Sequence, residues 1–212
     1  SYGMVELPHG KMKSREGTVV DADDLVIEME KTAEEHTKEL GKIDDFNELE
    51  ARDLYHQLGL GALKFFLLKV DPKKRMLFDP QESIQFQGHT GPFIQYTHAR
   101  ISAILRRSEK EGLNFKEVNL DADLSKVEKD VIFQISLFED KIKEAAKAYD
   151  PSVIASYVFD LAKEYNRFYA DSPIFNEADN NLKKIRIALS YLTAKTIRKS
   201  MSLLGIESPE KM

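Results

Sequence analysis

Residues 151–173 read PSVIASYVFDLAKEYNRFYADSP. Apolar side chains recur here at steps of three and four, which places them on one face of an α-helix: Ile154, Tyr157, Val158, Leu161, Tyr165 and Phe168. Pro151 and Pro173 mark the two ends, because proline is excluded from a helix interior. The stretch therefore predicts one amphipathic helix with a buried face.

The same periodicity continues through the rest of the second half of the chain. We expect one helix over about 92–110, a single helix through the apolar stripe at 124–145, and a last helix through 182–204. Gly205 is typical of the residue that follows a helix. These long, closely linked helices exclude a β-sandwich and a doubly wound sheet, and they predict an all-α helical bundle.

The first half of the chain is predicted to be less regular. A short loop and strand segment opens it, and Asp21 or Asp23 can cap a helix that runs to Leu40. A second helix is expected from about Asp45 to Val70, with an interruption at residues 59–61, where two glycines occur. Residues 76–88 are predicted to form a short hairpin or an ordered loop.

Composition excludes several classes of protein. The chain has 212 residues and no cysteine, which excludes disulfides, thiolate metal sites and cysteine nucleophiles. No apolar run approaches the ~20 residues that span a bilayer, so we expect no membrane association. The five histidines show no metal-ligand spacing, so we expect no metal site. The formal net charge of −5 argues against a protein that binds nucleic acid by bulk charge alone.

Charge is nevertheless distributed unevenly. Acidic residues dominate 21–50, whereas residues 181–206 contain only basic charges, including Lys195 and Arg198. Such asymmetry indicates a binding partner, and here it favours a surface for phosphate. The alternative is a helix face that is simply solvated.

Two short stretches could carry chemistry. Residues 10–19, GKMKSREGTV, place three cations between two glycines, and such a loop can close over polyphosphate; the alternative is a basic surface loop. Residues 88–100, GHTGPFIQYTHAR, bring Tyr96 and Arg100 onto one helix, where they could stack on a base or reach phosphate. The alternative there is an ordinary core helix.

Tyr165 and Tyr169 pose the same choice. Their spacing places the two rings one turn apart on a helix face. They could form a stacking surface for an unpaired base, or they could pack in the core.

Taken together, these motifs resemble the C-terminal part of a bacterial-type arginyl-tRNA synthetase, a class I enzyme. The resemblance covers nearly the whole chain, and it rests on Lys11–Arg15, Phe78–Pro80, Gln87–Gly88, Gly91–Arg100, Tyr165–Tyr169 and the ending LGIESPEKM at 204–212. It implies an α-helical anticodon-binding domain over 44–212, preceded at 1–43 by the tail of a catalytic domain with a signature loop and a stem-contact helix.

The resemblance also implies roles for individual residues. Tyr96 and Arg100 would face the anticodon stem-loop, Tyr165 and Tyr169 would contact anticodon bases, and Met212, at the natural end of the family's chain, would lie near the same loop. The family's tRNA carries a cytidine as the central anticodon base. Lys195 and Arg198 belong to the basic last helix. Tyrosine stacking with hydrogen bonds to the base edge is the expected mode of recognition.

The signature loop departs from the family's pattern. The class I motif reads Lys-Met-Ser-Lys-Ser, and it aligns with Lys11, Met12, Lys13, Ser14 and Arg15. The second lysine of the motif is therefore replaced by Ser14, and either Lys13 or Arg15 could supply the missing charge.

The predicted function is anticodon recognition within an arginine–tRNA ligase, which joins arginine to tRNA using ATP and magnesium. We expect this chain alone to bind arginine-specific tRNA without catalysis and without a cofactor, because the dinucleotide-fold catalytic domain with its His-x-Gly-His motif is not in the sequence. We further expect a cytoplasmic monomer that does not bind DNA. The alternatives are the anticodon-binding domain of another class I synthetase and a helical protein-interaction module.

Overall fold

The structure is a computed structural model, and it describes residues 3–6, 21–39, 41, 46–115, 117–119 and 121–212. In chain order the elements are β1 (Val5–Glu6), α1 (Ala22–Glu39), α2 (Glu48–Leu68), β2 (Met76–Leu77), α3 (Pro80–Ser83), α4 (Gly91–Lys110), α5 (Lys126–Ser136), α6 (Phe138–Ala148), α7 (Ser152–Asp171) and α8 (Asn180–Leu203). The prediction of an all-α bundle is confirmed.

Two apolar cores hold these elements together. The larger core lies between α4, α5, α7 and α8, and its fully buried side chains include Ile101, Leu161, Phe168 and Ile197. The smaller core lies between α1, α2 and α3 around Met29. It takes residues from both sides of the boundary predicted between 43 and 44, and that boundary stays a prediction.

The predicted interruption of the second helix is wrong, because α2 runs unbroken through Gly59 and Gly61. Both glycines permit close packing. A Cβ on Gly59 would lie 2.9 Å from the backbone of Met29 in α1, and one on Gly61 would lie 2.5 Å from the side chain of Gln95 in α4. The glycines bring α1 and α4 against α2 and do not end the helix.

Of the two alternatives predicted for 76–88, a short hairpin or an ordered loop, the hairpin is wrong. β2 pairs in parallel with β1, with Val5 opposite Met76, and the two strands form the sheet found among the described residues. Asp79 then caps α3 by accepting hydrogen bonds from two backbone amides, and Pro80 occupies the first turn. The Asp-Pro pair therefore starts a short helix inside this segment.

The apolar stripe at 124–145 belongs to two helices and not to one. α5 and α6 meet at Leu137, whose amide donates to the carbonyl of Gln134 in a tightened turn. Leu137 itself keeps helical backbone angles. The apolar period therefore passes through the junction unchanged, which is why the stripe alone could not reveal it.

The remaining helices begin and end close to where caps predict. Thr90 caps α4, with Pro92 in its first turn, and Gly205 follows α8 at a φ of 68°. α4 packs against α2, α7 and α8 and so lies at the centre of the molecule. Side chains on its different faces therefore reach different neighbours.

Candidate nucleic-acid interface

An open groove runs along α4 and is bounded by the end of α7 and the segment that follows it. We call it the α4–α7 groove; its volume is about 1320 Å³. Four residues singled out from the sequence line it: Tyr96, Arg100, Tyr169 and Met212. The fold thus brings together side chains more than 100 positions apart in the chain.

Arg100 lies between two aromatic rings in this groove. Its guanidinium carbon is 4.9 Å from the ring centroid of Tyr96 and 5.1 Å from that of Tyr169. The guanidinium also donates to Oδ1 of Asn166, whose Nδ2 donates to Oγ1 of Thr97 at 2.8 Å. The charge is therefore fixed in place beside two ring faces, which is an arrangement suited to a flat, electron-rich ligand with a phosphate nearby.

Tyr169 keeps 41% of its surface exposed, in contrast to its neighbour one turn earlier. Tyr165 is fully buried, and its hydroxyl donates to Oγ of Ser190 at 2.9 Å. Burial raises the pKa of Tyr165 well above its ordinary value. The interpretation of Tyr165 as a base-contacting residue is therefore wrong: it belongs to the buried stripe of α7, and Tyr169 lies on the edge of that stripe.

Met212 joins the groove to the smaller core. It is half-buried and packs against that core, and Phe46 does the same. Both residues line the α4–α7 groove. One wall of the groove is thus apolar, while Arg106, Arg107 and Lys211 add positive charge along its length.

Several groove residues could not be predicted from the sequence. The segment after α7 contributes Phe175 and Asn176, and Phe175 packs 3.9 Å under the guanidinium of Arg107. The Ser172-Pro173 pair indicated only the end of a helix. No sequence pattern near it indicated that the residues after it line a groove. Asn166, by contrast, stands inside the motif Tyr165–Tyr169, so its type and position were a usable signal.

Lys195 and Arg198 lie in a different place. They line a second groove, between α4 and α8, with a volume of about 780 Å³; we call it the α4–α8 groove. Tyr191 is 43% exposed there and packs beside Phe115 at a centroid distance of 5.4 Å. The predicted binding residues therefore fall on two surfaces, and Arg106 lines both.

The cations of the α4–α8 groove differ in how they are neutralised. Nη2 of Arg198 contacts Oε1 of Glu210 at 2.6 Å, and this hydrogen bond holds the pKa of Glu210 below its ordinary value. Among the residues that the structure describes, Lys195 and Lys199 form no ion pair, and both are exposed. The two lysines are therefore the more available charges for an anionic ligand.

Arg186 lines neither groove, although it is one of the basic residues of 181–206 that were predicted to form a surface for phosphate. Its Nε donates to Oε1 of Glu128 at 2.7 Å and its Nη1 to Oε2 of Glu177 at 2.7 Å. The side chain is only 8% exposed. Its positive charge is neutralised inside the protein by the two carboxylates, so it does not belong to the surface that could bind phosphate.

Three other features considered from the sequence are the signature loop, a metal site and a membrane-spanning helix. The loop Lys11–Arg15 lies outside the described residues. Within the described ranges no cluster of three or more histidine, aspartate or glutamate side chains could hold a metal ion, and no helix there is long and apolar enough to cross a bilayer.

Comparison with known proteins places this geometry in a family. The chain is 56% identical over 214 residues to the arginine–tRNA ligase of Amoebophilus asiaticus and 52% identical over 213 residues to that of Parabacteroides distasonis; each match covers 100% of this chain and 36% of the relative. The solved arginyl-tRNA synthetase of Thermus thermophilus superimposes with a TM-score of 0.85 at 28% identity, over 100% of this chain and 35% of that one. The chain thus spans about a third of the length of these relatives.

The family match covers the α4–α8 groove and most of the α4–α7 groove. Residues 94–212, which run from the first turn of α4 to Met212, match the family described as the DALR anticodon binding domain. Tyr96, Arg100, Tyr169, Lys195, Arg198 and Met212 all fall inside this range. The chain therefore belongs to the DALR anticodon binding domain family.

Proposed function

We propose that this chain is the tRNA-binding part of an arginine–tRNA ligase and that it recognises the anticodon. The relatives at 56% and 52% identity carry that name, and they match this chain over its full length. The whole protein would attach arginine to its tRNA in the cytoplasm, using ATP and magnesium.

The placement of Arg100 between Tyr96 and Tyr169 is the observation that carries the proposal. Two ring faces and a fixed guanidinium meet at an open groove. An unpaired base is flat, has a π-face to stack on, and presents polar atoms along its edge, so it matches these groups. We assign the central anticodon base, a cytidine, to the α4–α7 groove.

The α4–α8 groove serves the sugar–phosphate backbone in this proposal. Lys195 and Lys199 are exposed cations one helical turn apart, and Arg106 lies between the two grooves. Lysine and arginine contacts to phosphate supply affinity without reading sequence. Base reading in one groove and backbone contact in the next would fix the orientation of the stem-loop.

The proposal gives this chain no catalysis of its own. Lys11, Met12, Lys13, Ser14 and Arg15 would act only in the whole enzyme, where the loop would contact the phosphates of ATP. Arg15 or Lys13 would supply the charge that the family's second lysine supplies. In isolation we expect the chain to be a monomer that binds tRNA and leaves DNA unbound.

A paired binding measurement tests the function. Fluorescence anisotropy should show binding to an anticodon stem-loop RNA with a central cytidine, and replacing that base by uridine should weaken binding about tenfold, as expected for the loss of base-edge hydrogen bonds. Equal affinity for the stem-loop and for a hairpin of scrambled loop sequence would contradict anticodon recognition. No binding to either RNA would favour a protein-interaction module.

A further inference from the structure

The segment 204–212 runs along α4, and side chains bind its backbone at four points. Nζ of Lys64 donates to the carbonyl of Gly205 at 2.7 Å, and Nε2 of Gln95 donates to that of Glu207 at 2.8 Å. Further along, Nδ1 of His98 lies 2.9 Å from the carbonyl oxygen of Pro209. Finally, Nη1 of Arg106 donates to the carbonyl of Glu210 at 2.9 Å.

Of the two middle contacts, that of His98 is buried and that of Gln95 is partly buried. Gln95 has no exposed surface, and its Nε2 also donates to the carbonyl of Gln57 at 3.0 Å, so one amide group connects α2, α4 and the 204–212 segment. His98 is 1% exposed. Because a carbonyl oxygen only accepts, Nδ1 of His98 carries a proton, and burial lowers the pKa of the ring.

These contacts give hydrogen bonds to backbone carbonyls that would otherwise be unpaired and would destabilise the fold. A segment that leaves a helix and runs over a packed surface has no ladder to satisfy its backbone, and each buried unpaired carbonyl destabilises the fold. His98 satisfies one such buried carbonyl, that of Pro209, and Gln95 satisfies the partly buried carbonyl of Glu207. Their side chains therefore help to fix where the segment lies, together with Leu204 and Ile206 of the segment, which are buried in the larger core.

The segment in turn forms part of the α4–α7 groove. Lys211 and Met212 follow directly after the bound carbonyls, and both line the groove. Gln95 and His98 do not line it, whereas Tyr96 and Arg100, their neighbours on α4, do. The same helix thus presents Tyr96 and Arg100, among others, to the groove, and Gln95 and His98 to the segment that completes it.

We propose that Gln95 and His98 are positioning residues for RNA binding, acting through the 204–212 segment: they hold its carbonyls so that Lys211 and Met212 form a wall of the groove. The inference rests on the proposed function for its RNA partner. Its structural half, the placement of Met212, can be measured without RNA.

The test combines a Met212 signal with RNA affinity. The protein is labelled with ¹³C at the methionine methyl groups, and Met212→Leu assigns the resonance among the six methionines. The same substitution made together with Gln95→Met separates the Met212 signal from the methyl group that this variant adds. Gln95→Met and His98→Leu remove a donor at nearly constant volume, whereas His98→Asn keeps a donor close to the position of Nδ1. Tyr157→Phe is the matched control, since it removes a hydrogen bond to the carbonyl of Gln134 in the larger core, away from the segment.

We expect the Met212 resonance to move to a mobile, solvent-exposed position in Gln95→Met and His98→Leu and to stay in place in His98→Asn and Tyr157→Phe. Affinity for the cytidine stem-loop should fall about three- to tenfold in the first two variants, the range expected for a lost hydrogen bond. If the buried variants do not fold, Lys64→Ala, which removes a contact at the surface, should shift the same resonance and weaken RNA binding to a smaller extent.

Two results overturn the inference. One is a Met212 resonance that stays in place in folded Gln95→Met and His98→Leu protein. The other is a displaced resonance with unchanged RNA affinity, which would separate the segment from binding. Failure of the unmodified protein to bind the stem-loop would instead contradict the proposed function, while the Met212 resonance would still report the position of the segment.

Discussion

Arg186 on α8 donates from Nε to Oε1 of Glu128 on α5 at 2.7 Å, and both side chains are buried. The same guanidinium donates from Nη1 to Oε2 of Glu177 and to the carbonyl of Pro173. Pro173 lies in the segment that lines the α4–α7 groove. One arginine therefore connects the start of α5, the body of α8 and a wall of the proposed RNA site.

Arg186→Met should lower the free energy of unfolding by about 3–5 kcal/mol, because it leaves the Glu128 carboxylate buried without its partner. Urea unfolding measures the change. Lys199→Met, on an exposed position of the same helix, is the control and should stay within about 0.5 kcal/mol. If Arg186→Met matches the control, the ion pair contributes nothing to stability.

The same contact predicts how stability depends on pH. Burial alone would raise the pKa of Glu128, but hydrogen bonds from Arg186 and Ser125 outweigh it and hold that pKa below its ordinary value. A group whose pKa is lower in the folded state stabilises the fold above its unfolded pKa, about 4.3 for glutamate, and the stabilisation is lost as the pH falls through the folded value. Stability should therefore decrease on acidification below about pH 4.3.

Urea unfolding at a series of pH values between neutral and acid checks this expectation. Glu128→Gln should be less stable than the unmodified protein at neutral pH and should lose less stability on acidification. Parallel curves for the two proteins would show that Glu128 does not contribute to the acid transition.

The sequence predicted those features that local chemistry determines. Apolar stripes with proline and glycine at their ends located α4, α7 and α8, since a helix and its caps depend on neighbouring residues. The parallel pairing of β1 with β2 joins residues about 70 positions apart, and the roles of Gly59 and Gly61 depend on helices that approach from elsewhere. No local pattern contains that information.

The same distinction between local and distant contacts applies to the candidate site. Tyr96, Arg100 and Tyr169 were singled out because aromatic and guanidinium groups recur at helical spacing. The structure places all three at one groove, and their binding role stays a prediction. For Tyr165 the sequence left a choice between base stacking and core packing, and for Arg186 it indicated a surface charge. Their partners, Ser190 and Glu128, lie on other parts of the chain. Burial of a polar side chain becomes visible only when its hydrogen-bond partner is known.

Tyr165 and Tyr169 should respond oppositely to truncation. Tyr165→Ala removes a fully buried ring and should lower the free energy of unfolding by about 3–5 kcal/mol. Tyr169→Ala should leave the fold largely intact and weaken binding of the cytidine stem-loop by about 1–3 kcal/mol, the usual contribution of a stacked base. Thermal melting and anisotropy measure the two effects.

Tyr169→Phe separates the ring from the hydroxyl and should retain most of the affinity, because stacking needs only the ring. The base-stacking role of Tyr169 is wrong if Tyr169→Ala melts far lower while its folded fraction binds RNA as tightly as the unmodified protein.

Binding should also depend steeply on salt, through the lysines of the α4–α8 groove. Each phosphate contact on a single strand or a duplex contributes about 0.7–0.9 to the slope of log affinity against log salt concentration, so Lys195→Ala and Lys199→Ala should each reduce the slope by about that amount. Arg198→Ala should reduce it less, because Glu210 already neutralises its guanidinium. Lys126→Ala, on an exposed residue that lines neither groove, should leave the slope unchanged.

Because phosphate contacts carry no sequence information, both lysine variants should weaken binding equally for the cytidine and uridine stem-loops. A salt slope near zero for the unmodified protein, or a lysine variant that weakens binding to only one of the two RNAs, would contradict a backbone-binding role for this groove.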